Sequence, residues 1–258
     1  MVNGKIEDVR VNWPEPPPRS FPDGPLMEAV LAAENPRQLR EILQNDVAER
    51  AWVYTDESHP FDPKEPFIVY KPMNREPEGA VAIIVARLAC LELGIDPHSN
   101  LALIGIPRSA TWIAKVVMEK KIFPNTRQVI LTKNPEEVPS DVEFSTLEVT
   151  SYVHNRQSDG SRGTEKIYII DPSQIDGAHL LVMEDVIAQG PTVNEVAEKL
   201  RELRARQVDV AAILSKGLIQ GGTSKIVEAG VVDNLVESVR VAKVKGPGPA
   251  AEQLVFDV

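Results

Sequence analysis

Residues 180–192 constrain the fold of this chain more than any other segment. The apolar run Leu-Leu-Val-Met ends in two adjacent carboxylates, Glu184 and Asp185, and a turn around Gly190 follows. A continuous apolar run of this kind is typical of a parallel strand whose sheet is covered by helices on both faces. The next segment, residues 193–206, favours a helix. The sequence therefore predicts a strand–turn–helix unit of an α/β protein.

The order of groups in this unit predicts a site for a phosphorylated ribose. Carboxylates at the carboxyl end of a parallel strand lie where open α/β sheets bind ligands. The turn and the helix N-terminus, with Thr192 as the candidate cap, offer backbone N–H groups that suit a phosphate. Acceptors for sugar hydroxyls would thus stand beside a phosphate cradle. The alternative is an ordinary strand–turn–helix with solvated acids at its end.

Strands and helices alternate along the rest of the chain, which predicts a doubly wound, mainly parallel sheet flanked by helices. Residues 77–258 form this α/β domain, and residues 1–76 form a proline-rich arm and a helical or irregular cover. The arm, residues 1–25, is either extended or disordered. Helices are predicted at residues 26–33, from Asn35-Pro36 onward, at 78–93, at 193–206 and at 224–229. Another predicted helix follows Pro107-Arg108-Ser109 and ends near Lys121. Strands are predicted at residues 101–106, 128–132, 143–153, 165–170, 180–185, 208–214 and 234–239, and residues 52–76 form a hairpin or irregular cover.

Composition narrows the classes of partner and compartment. The formal net charge of −10 argues against a nucleic-acid partner, because phosphate backbones attract basic surfaces. No apolar run approaches membrane-spanning length. The single cysteine, Cys90, excludes an internal disulfide and fits a reducing compartment. We therefore expect a cytoplasmic enzyme that binds neither nucleic acid nor membrane. A homodimer is a further expectation, which the composition does not decide.

Residues 180–192 resemble the phosphoribosyl pyrophosphate signature of type I phosphoribosyltransferases. That signature has four apolar residues, two acids, two apolar residues, and a small turn that closes on Gly-x-Thr. The resemblance extends over about residues 78–240 and implies that Glu184 and Asp185 hold the ribose 2′- and 3′-hydroxyls. The turn that would wrap the 5′-phosphate consists of Ala188, Gln189, Gly190, Pro191 and Thr192. Gln189 departs from the family, which often has Thr at this position.

The resemblance also implies a diphosphate site and a catalytic loop. The pyrophosphate loop of the family corresponds to residues 104–110, where Arg108 and Ser109 follow a predicted strand. Lys133 matches a lysine that contacts the diphosphate in purine-using members. Residues 151–164, with Tyr152 and Arg156, match a flexible loop that closes over the substrate. A plain turn with an exposed arginine and an exposed polar loop are the alternatives.

The purine branch of the family fits best, and the base remains open. Ala188, three residues after Asp185, is common in adenine and xanthine enzymes. Lys216 at a strand end could donate to a purine O6 carbonyl, which favours a 6-oxopurine such as xanthine or guanine over adenine. Val186 with Leu218 or Ile219 could enclose the flat ring, although these residues also suit a simple core. An aromatic residue that commonly stacks on the base is missing.

The mechanism implied by the resemblance needs Mg²⁺, which would bridge the diphosphate and the ribose hydroxyls and keep most of its waters. Glu184 and Asp185 are candidate protein ligands. The bond from C1 to oxygen breaks first, Arg108 and Lys133 stabilise the leaving diphosphate, and the base then attacks C1. The four histidines have no metal-ligand spacing. Two alternatives stay open: an orotate-type transferase, and a non-catalytic regulator that senses phosphoribosyl pyrophosphate.

Overall fold

The computed structural model describes residues 24–54, 67–70, 75–96, 98–107, 110–150, 164–216 and 221–257. The α-helices in these ranges are α1 (Gly24–Ala32), α2 (Pro36–Arg50), α3 (Arg75–Leu93), α4 (Thr111–Glu119), α5 (Pro191–Glu202), α6 (Gly222–Ala229) and α7 (Ala250–Gln253). The strands are β1 (Trp52–Tyr54), β2 (Phe67–Val69), β3 (Leu101–Gly105), β4 (Arg127–Gln128), β5 (Ile130–Thr132), β6 (Phe144–Thr150), β7 (Thr164–Ile170), β8 (His179–Ile187), β9 (Gln207–Ser215), β10 (Asn234–Val244), β11 (Gly248–Pro249) and β12 (Leu254–Asp257). Short 3-10 helices lie at Pro135–Glu137 and Pro172–Gln174.

A six-stranded sheet in the order β12-β10-β9-β8-β3-β4 forms the centre of the molecule. Neighbouring strands from β4 to β10 run parallel, and β12 pairs antiparallel with β10 at one edge. The β3 strand is buried along its whole length, and β9 is buried from its second residue onward. This burial explains their apolar sequences, because a parallel strand in mid-sheet has a helix layer on each face. The predicted fold class is confirmed.

Two hydrophobic clusters cover the opposite faces of this sheet. The first contains side chains of α1 to α4, with fully buried residues such as Leu39, Ile84 and Ile113. The second contains α5, α6 and a small antiparallel sheet of order β5-β7-β6. The sheet therefore separates two hydrophobic cores. No helix among the described residues is both long and apolar enough to cross a membrane.

The single strand predicted at residues 128–132 is wrong, because the chain changes sheet within it. β4 pairs parallel with β3, whereas β5 pairs antiparallel with β7. Val129 lies between them with 1% of its surface exposed, and its N–H donates to the carbonyl oxygen of Leu103 at 2.9 Å. The break makes β5 an edge strand of the small sheet, and Lys133 follows it directly. The hairpin strands predicted on either side of residues 151–163 are present as β6 and β7.

The N-terminal helices follow the sequence pattern closely. Asn35 caps α2 by accepting from the N–H of Gln38 at 3.0 Å, and Pro36 occupies its first turn. Helix α1 begins at Gly24, two residues before the predicted start. β1 pairs with β2 and also with β11, so a C-terminal segment completes the N-terminal sheet. The sequence did not predict β11, α7 or β12. Residues 1–23 of the proline-rich arm lie outside the described residues, and the domain boundary at residue 76 stays a prediction.

Candidate active site

Three segments of the chain meet at the carboxyl ends of β3, β8 and β9. The N–H of Ile106 donates to the carbonyl oxygen of Met183 at 3.0 Å, which ties the end of β3 to β8. The N–H of Lys216 donates to the carbonyl oxygen of Ile187 at 2.7 Å, which ties the end of β9 to the other side of β8. This edge of the sheet is where the sequence analysis expects the ligand.

The acid pair lies inside β8 and not beyond it, because the strand continues to Ile187. Glu184 is 6% exposed, and Asp185 is half-buried. A Glu184 carboxylate oxygen accepts from the N–H of Asp185 at 2.9 Å, and a carboxylate oxygen of Asp185 accepts from the N–H of Val186 at 2.7 Å. Each acid is thus held by the backbone of the next residue.

Burial raises the pKa of Glu184 well above its ordinary value. The charge of Asp185 and a hydrogen bond between the two carboxyl groups raise it further, whereas the backbone N–H of Asp185 and the charge of Lys133 act in the opposite direction. Ionisation of Glu184 is therefore less favourable than that of an exposed glutamate when the site is empty. Hydrogen-bond donors or a cation would shift the group towards its ionised form.

The turn after β8 differs from the prediction at the start of its helix. Gly190 is the N-cap, with φ of 84°, and α5 begins at Pro191 and ends at Glu202 instead of spanning residues 193–206. Thr192 is therefore inside the first turn and is not the cap. Glycine suits the position because a side chain would be strained at that φ, and proline suits the first helical residue. The first turn still leaves N–H groups without carbonyl partners in the helix, as a phosphate site needs.

A second turn packs tightly against this one. A Cβ added to Gly222, at the start of α6, would lie 2.1 Å from the carbonyl oxygen of Ala188 and 3.1 Å from the carbonyl carbon of Gln189. A Cβ added to Gly190 would lie 2.9 Å from the carbonyl oxygen of Gly222. The absence of side chains at both positions allows the candidate phosphate turn and the start of α6 to touch. Gly222 was not assigned a role from sequence, although the pair Gly221-Gly222 after a strand is a signal of close backbone approach.

The turn after β3 is equally close to its helix. A Cβ added to Gly105 would lie 2.5 Å from the carbonyl oxygen of Ala110 and 2.6 Å from the Cα of Thr111. Ala110 is the N-cap of α4 and makes no side-chain capping bond. Helix α4 therefore starts directly against the end of β3. The resemblance places the diphosphate loop at residues 104–110, directly before this helix.

Lys133, which follows β5, makes an ion pair with Glu165 of β7. Both side chains are mostly buried, with 20% of Lys133 and 12% of Glu165 exposed. Lys133 also lies close enough to Glu184 for its charge to oppose the raised pKa of that acid. The structure thus places Lys133 within electrostatic range of Glu184 and pairs it with Glu165, which was not predicted from the sequence. The two paired residues are 32 positions apart, so no local pattern links them.

The residues predicted for the base are only partly within the described chain. Lys216 lies directly after β9 and is 2% exposed, and Val186 packs against the first hydrophobic cluster. Beside Lys216, the hydroxyl oxygens of Ser215 and Thr223 are 3.4 Å apart, and Thr223 donates to a carboxylate oxygen of Glu237. Predicted site residues that lie outside the described residues are Arg108, Ser109, Tyr152, Arg156, Leu218 and Ile219.

The described residues contain no group of three or more histidine, cysteine or acidic side chains that could hold a metal ion. The adjacent carboxylates of Glu184 and Asp185 are the oxygen donors at this edge. One or two carboxylates fit Mg²⁺, which keeps several waters and takes its remaining oxygens from substrate phosphates. They do not suit a closed, all-protein metal cage. The acid pair is therefore compatible with a substrate-bound magnesium ion.

Residues 76–230 match the family model of the phosphoribosyl transferase domain. The chain belongs to this family. The prediction that it is a phosphoribosyltransferase is confirmed, and the matched residues include β3, β8, the candidate phosphate turn and α6. Among curated proteins, none matches the chain by sequence.

Solved structures of adenine phosphoribosyltransferases share the fold of this phosphoribosyltransferase. The enzyme from Giardia lamblia, crystallised with 9-deazaadenine, is 14% identical with a TM-score of 0.53, and the match covers 81% of this chain and 98% of that one. The Saccharomyces cerevisiae enzyme, complexed with an imino-altritol bisphosphate and adenine, is 13% identical with a TM-score of 0.52, covering 78% and 99%. The Trypanosoma brucei enzyme, complexed with AMP, pyrophosphate and ribose-5-phosphate, is 13% identical with a TM-score of 0.51, covering 77% and 78%.

Proposed function

We propose that this phosphoribosyltransferase transfers the phosphoribosyl group from phosphoribosyl pyrophosphate to a purine base and releases pyrophosphate. The observation that carries the proposal is the acid pair of β8 beside the Gly190 turn. The buried Glu184, bonded to Asp185, does not stabilise a covered parallel strand, where apolar side chains are favourable and a buried carboxyl group is costly. It has a use as an acceptor for hydroxyl groups that arrive with a ligand.

The ribose and its 5′-phosphate would bind along β8 and α5. The carboxylates of Glu184 and Asp185 accept from the 2′- and 3′-hydroxyls, and the turn from Ala188 to Thr192 donates backbone N–H groups to the 5′-phosphate. Gln189 adds an amide donor, and Pro191 fixes the first turn of the helix. These contacts place C1 of the sugar over the edge of the sheet, between the segments that follow β3 and β9.

The reaction would proceed by departure of the diphosphate from C1 and attack by a purine nitrogen. The bond from C1 to the diphosphate oxygen breaks with its electron pair leaving on the diphosphate. The nitrogen then forms the new bond to C1, and the proton that it carried passes to water. Lys133, with Arg108 and Ser109 after β3, would stabilise the charge on the leaving group. The acid pair would orient the ribose and place negative charge near the cationic sugar. We assign Tyr152 and Arg156 to the loop that excludes water.

A magnesium ion would neutralise phosphate charge when it is bound with the substrate. Glu184 and Asp185 are the described residues that would contact it or its waters. Ionisation of Glu184 would be favoured by that cation, in line with the direction in which Lys133 already acts.

The base would lie between β8 and the segment after β9. Lys216 at the end of β9 favours a purine that carries an O6 carbonyl, such as xanthine or guanine, since an ammonium group finds no acceptor in the amine of adenine. Val186, Leu218 and Ile219 would enclose the ring. The solved relatives with this fold act on adenine by name, so the choice between purines is the part of the proposal that a substrate panel must decide. The homodimer and the cytoplasmic location stay predictions from the sequence.

The direct test is consumption of phosphoribosyl pyrophosphate in the presence of each nucleobase, with the wild type and the double variant Glu184→Gln/Asp185→Asn. The amides preserve shape and remove charge beside the ribose. We expect at least a tenfold loss of transfer, or about 1.4 kcal/mol in the barrier. The matched control is Glu198→Gln/Glu228→Gln, which removes the same charge from exposed positions on α5 and α6.

Full activity in the double variant would show that the ribose-site assignment is wrong. Binding of phosphoribosyl pyrophosphate without turnover on any base would favour a sensor over an enzyme. Turnover with orotate alone would show that the substrate is a pyrimidine and that the enzyme is an orotate-type transferase.

A further inference from the structure

The diphosphate site of this chain contains an acid that the proposed reaction does not use. Glu165 is the second residue of β7, and its carboxylate is paired with the ammonium of Lys133. The pair is mostly buried, so each partner would be costly to leave alone. In the empty protein, Lys133, the proposed diphosphate ligand, is therefore paired with a carboxylate of the small sheet.

The strand register brings the two paired residues close to each other. Thr132, the last residue of β5, lies opposite Tyr168 of β7, and Lys133 continues β5 while Glu165 lies towards the start of β7. Thr132 is buried, and its hydroxyl donates to a carboxylate oxygen of Glu137 at 2.5 Å. The backbone before Lys133 is thus anchored, and the direction of the lysine side chain is set by the partner at its tip.

Carboxylates on two different strands lie near the ammonium of Lys133, so its partner in the empty protein matters for the site. Glu184 and Asp185 form an acidic pair, and Lys133 is close enough to act on the pKa of Glu184. Without Glu165, the ammonium would have the acid pair of β8 as its alternative anion. Glu165 holds Lys133 to the side of the small sheet and leaves the carboxylates of β8 to the ribose.

We propose that Glu165 is a positioning residue of the diphosphate site, which holds Lys133 in the empty protein and gives up the ammonium to an incoming diphosphate. This inference rests on the proposed function, because it requires that Lys133 contacts the diphosphate. Exchange of one anion for another keeps the ammonium paired throughout binding and release, and the cost of leaving the Glu165 carboxylate without it opposes diphosphate binding. The carboxylate competes with the diphosphate, so it weakens product binding and assists departure of pyrophosphate.

The test is the affinity for pyrophosphate with magnesium, measured by isothermal titration calorimetry on the full chain. Glu165→Gln removes the competing charge while preserving shape, and we expect pyrophosphate to bind about fivefold tighter, the effect of a partly buried ion pair near 1 kcal/mol. Glu165→Asp keeps the charge, so its affinity for pyrophosphate should equal that of the wild type. In a Lys133→Met background, Glu165→Gln should have no effect, because the competition requires the ammonium.

The matched control is Glu148→Gln, which removes an exposed carboxylate from β6 of the same small sheet and should leave the affinity unchanged. Equal tightening in the Glu148 and Glu165 variants would indicate a general charge effect and overturn the inference. Unchanged or weaker binding in Glu165→Gln, with a wild-type melting temperature, would also overturn it while the proposed function stands. A wild type that binds neither pyrophosphate nor phosphoribosyl pyrophosphate would overturn the proposed function, and the inference with it.

Discussion

The contact between the two glycine turns leads to a sharp prediction for Gly222→Ala. Gly222 does not have the positive φ that strains a side chain, so alanine is compatible with its backbone. The added Cβ would nevertheless lie 2.1 Å from the carbonyl oxygen of Ala188, against an ordinary contact of at least 3.4 Å. The two turns must separate by about 1.3 Å, and the neighbouring atom is backbone that cannot rotate away.

The separation should damage both stability and catalysis. Overpacking of this kind costs about 1–3 kcal/mol, which lowers the melting temperature of a chain of this size by roughly 2–12 °C. In an unobstructed helix, the same substitution stabilises by up to ~1 kcal/mol, so the sign of the change is diagnostic. If the candidate phosphate turn binds phosphate as proposed, its displacement by about 1 Å reduces turnover by roughly a hundredfold.

The assay is thermal unfolding together with kcat and KM for phosphoribosyl pyrophosphate. The matched control is Gly79→Ala in α3, where the new Cβ would meet only the Cε atoms of Met27 at 3.5 Å and Lys120 at 3.8 Å. We expect the control to keep its activity and to melt at or above the wild-type temperature. Wild-type kcat/KM and no loss of stability in Gly222→Ala would refute the idea that this glycine positions the phosphate turn.

Two further substitutions test single side chains. Lys216→Met should depress the use of 6-oxopurines by about 2 kcal/mol or more and scarcely affect adenine, measured as kcat/KM on each base with the exposed Lys243→Met as control. Equal loss on all bases would assign Lys216 to the fold or the phosphates. Between the ordinary glutamate pKa of about 4.3 and the raised pKa of Glu184, the native state binds more protons than the unfolded chain, so stability falls as pH rises. The glutamine of Glu184→Gln does not titrate. In metal-free buffer, the melting temperature of this variant minus that of the wild type should therefore increase as pH rises from about 4 to about 7. A constant difference across that range would contradict the burial argument.

The local elements that the sequence predicted well are those whose pattern is set by burial alone. β8 and β9 contact helix layers on both faces, and their continuous apolar runs indicate parallel strands without knowledge of their neighbours. The cap at Asn35 and the glycine after α3 are likewise local signals, since each depends on residues within one turn. The acid pair followed by a glycine turn could be predicted for the same reason.

The features that the sequence did not reveal depend on partners far along the chain. The change of sheet at Val129 is determined by the pairing of β5 with β7, about 40 residues later. The pairing of β11 with β1 joins Trp52 to Pro249, which are far apart in the sequence. Asp46 in α2 resembles a solvated helix charge in the sequence, yet it is buried because Tyr70 donates to it and Arg50 pairs with it at 2.8 Å.

The pKa of Glu184 connects the stability of the sheet to the proposed site. In the empty protein, the carboxyl group is buried next to Asp185, and its ionised form is disfavoured by both. In the proposed complex, ribose hydroxyls donate to the same carboxylate, and a cation lies near it, so the ionised form becomes the favoured one. Substrate binding thus offsets the free-energy cost of ionising the buried carboxyl group. An acid inside a strand that is otherwise apolar is therefore unfavourable for the fold alone and suited to a site that becomes fully satisfied only with its substrate present.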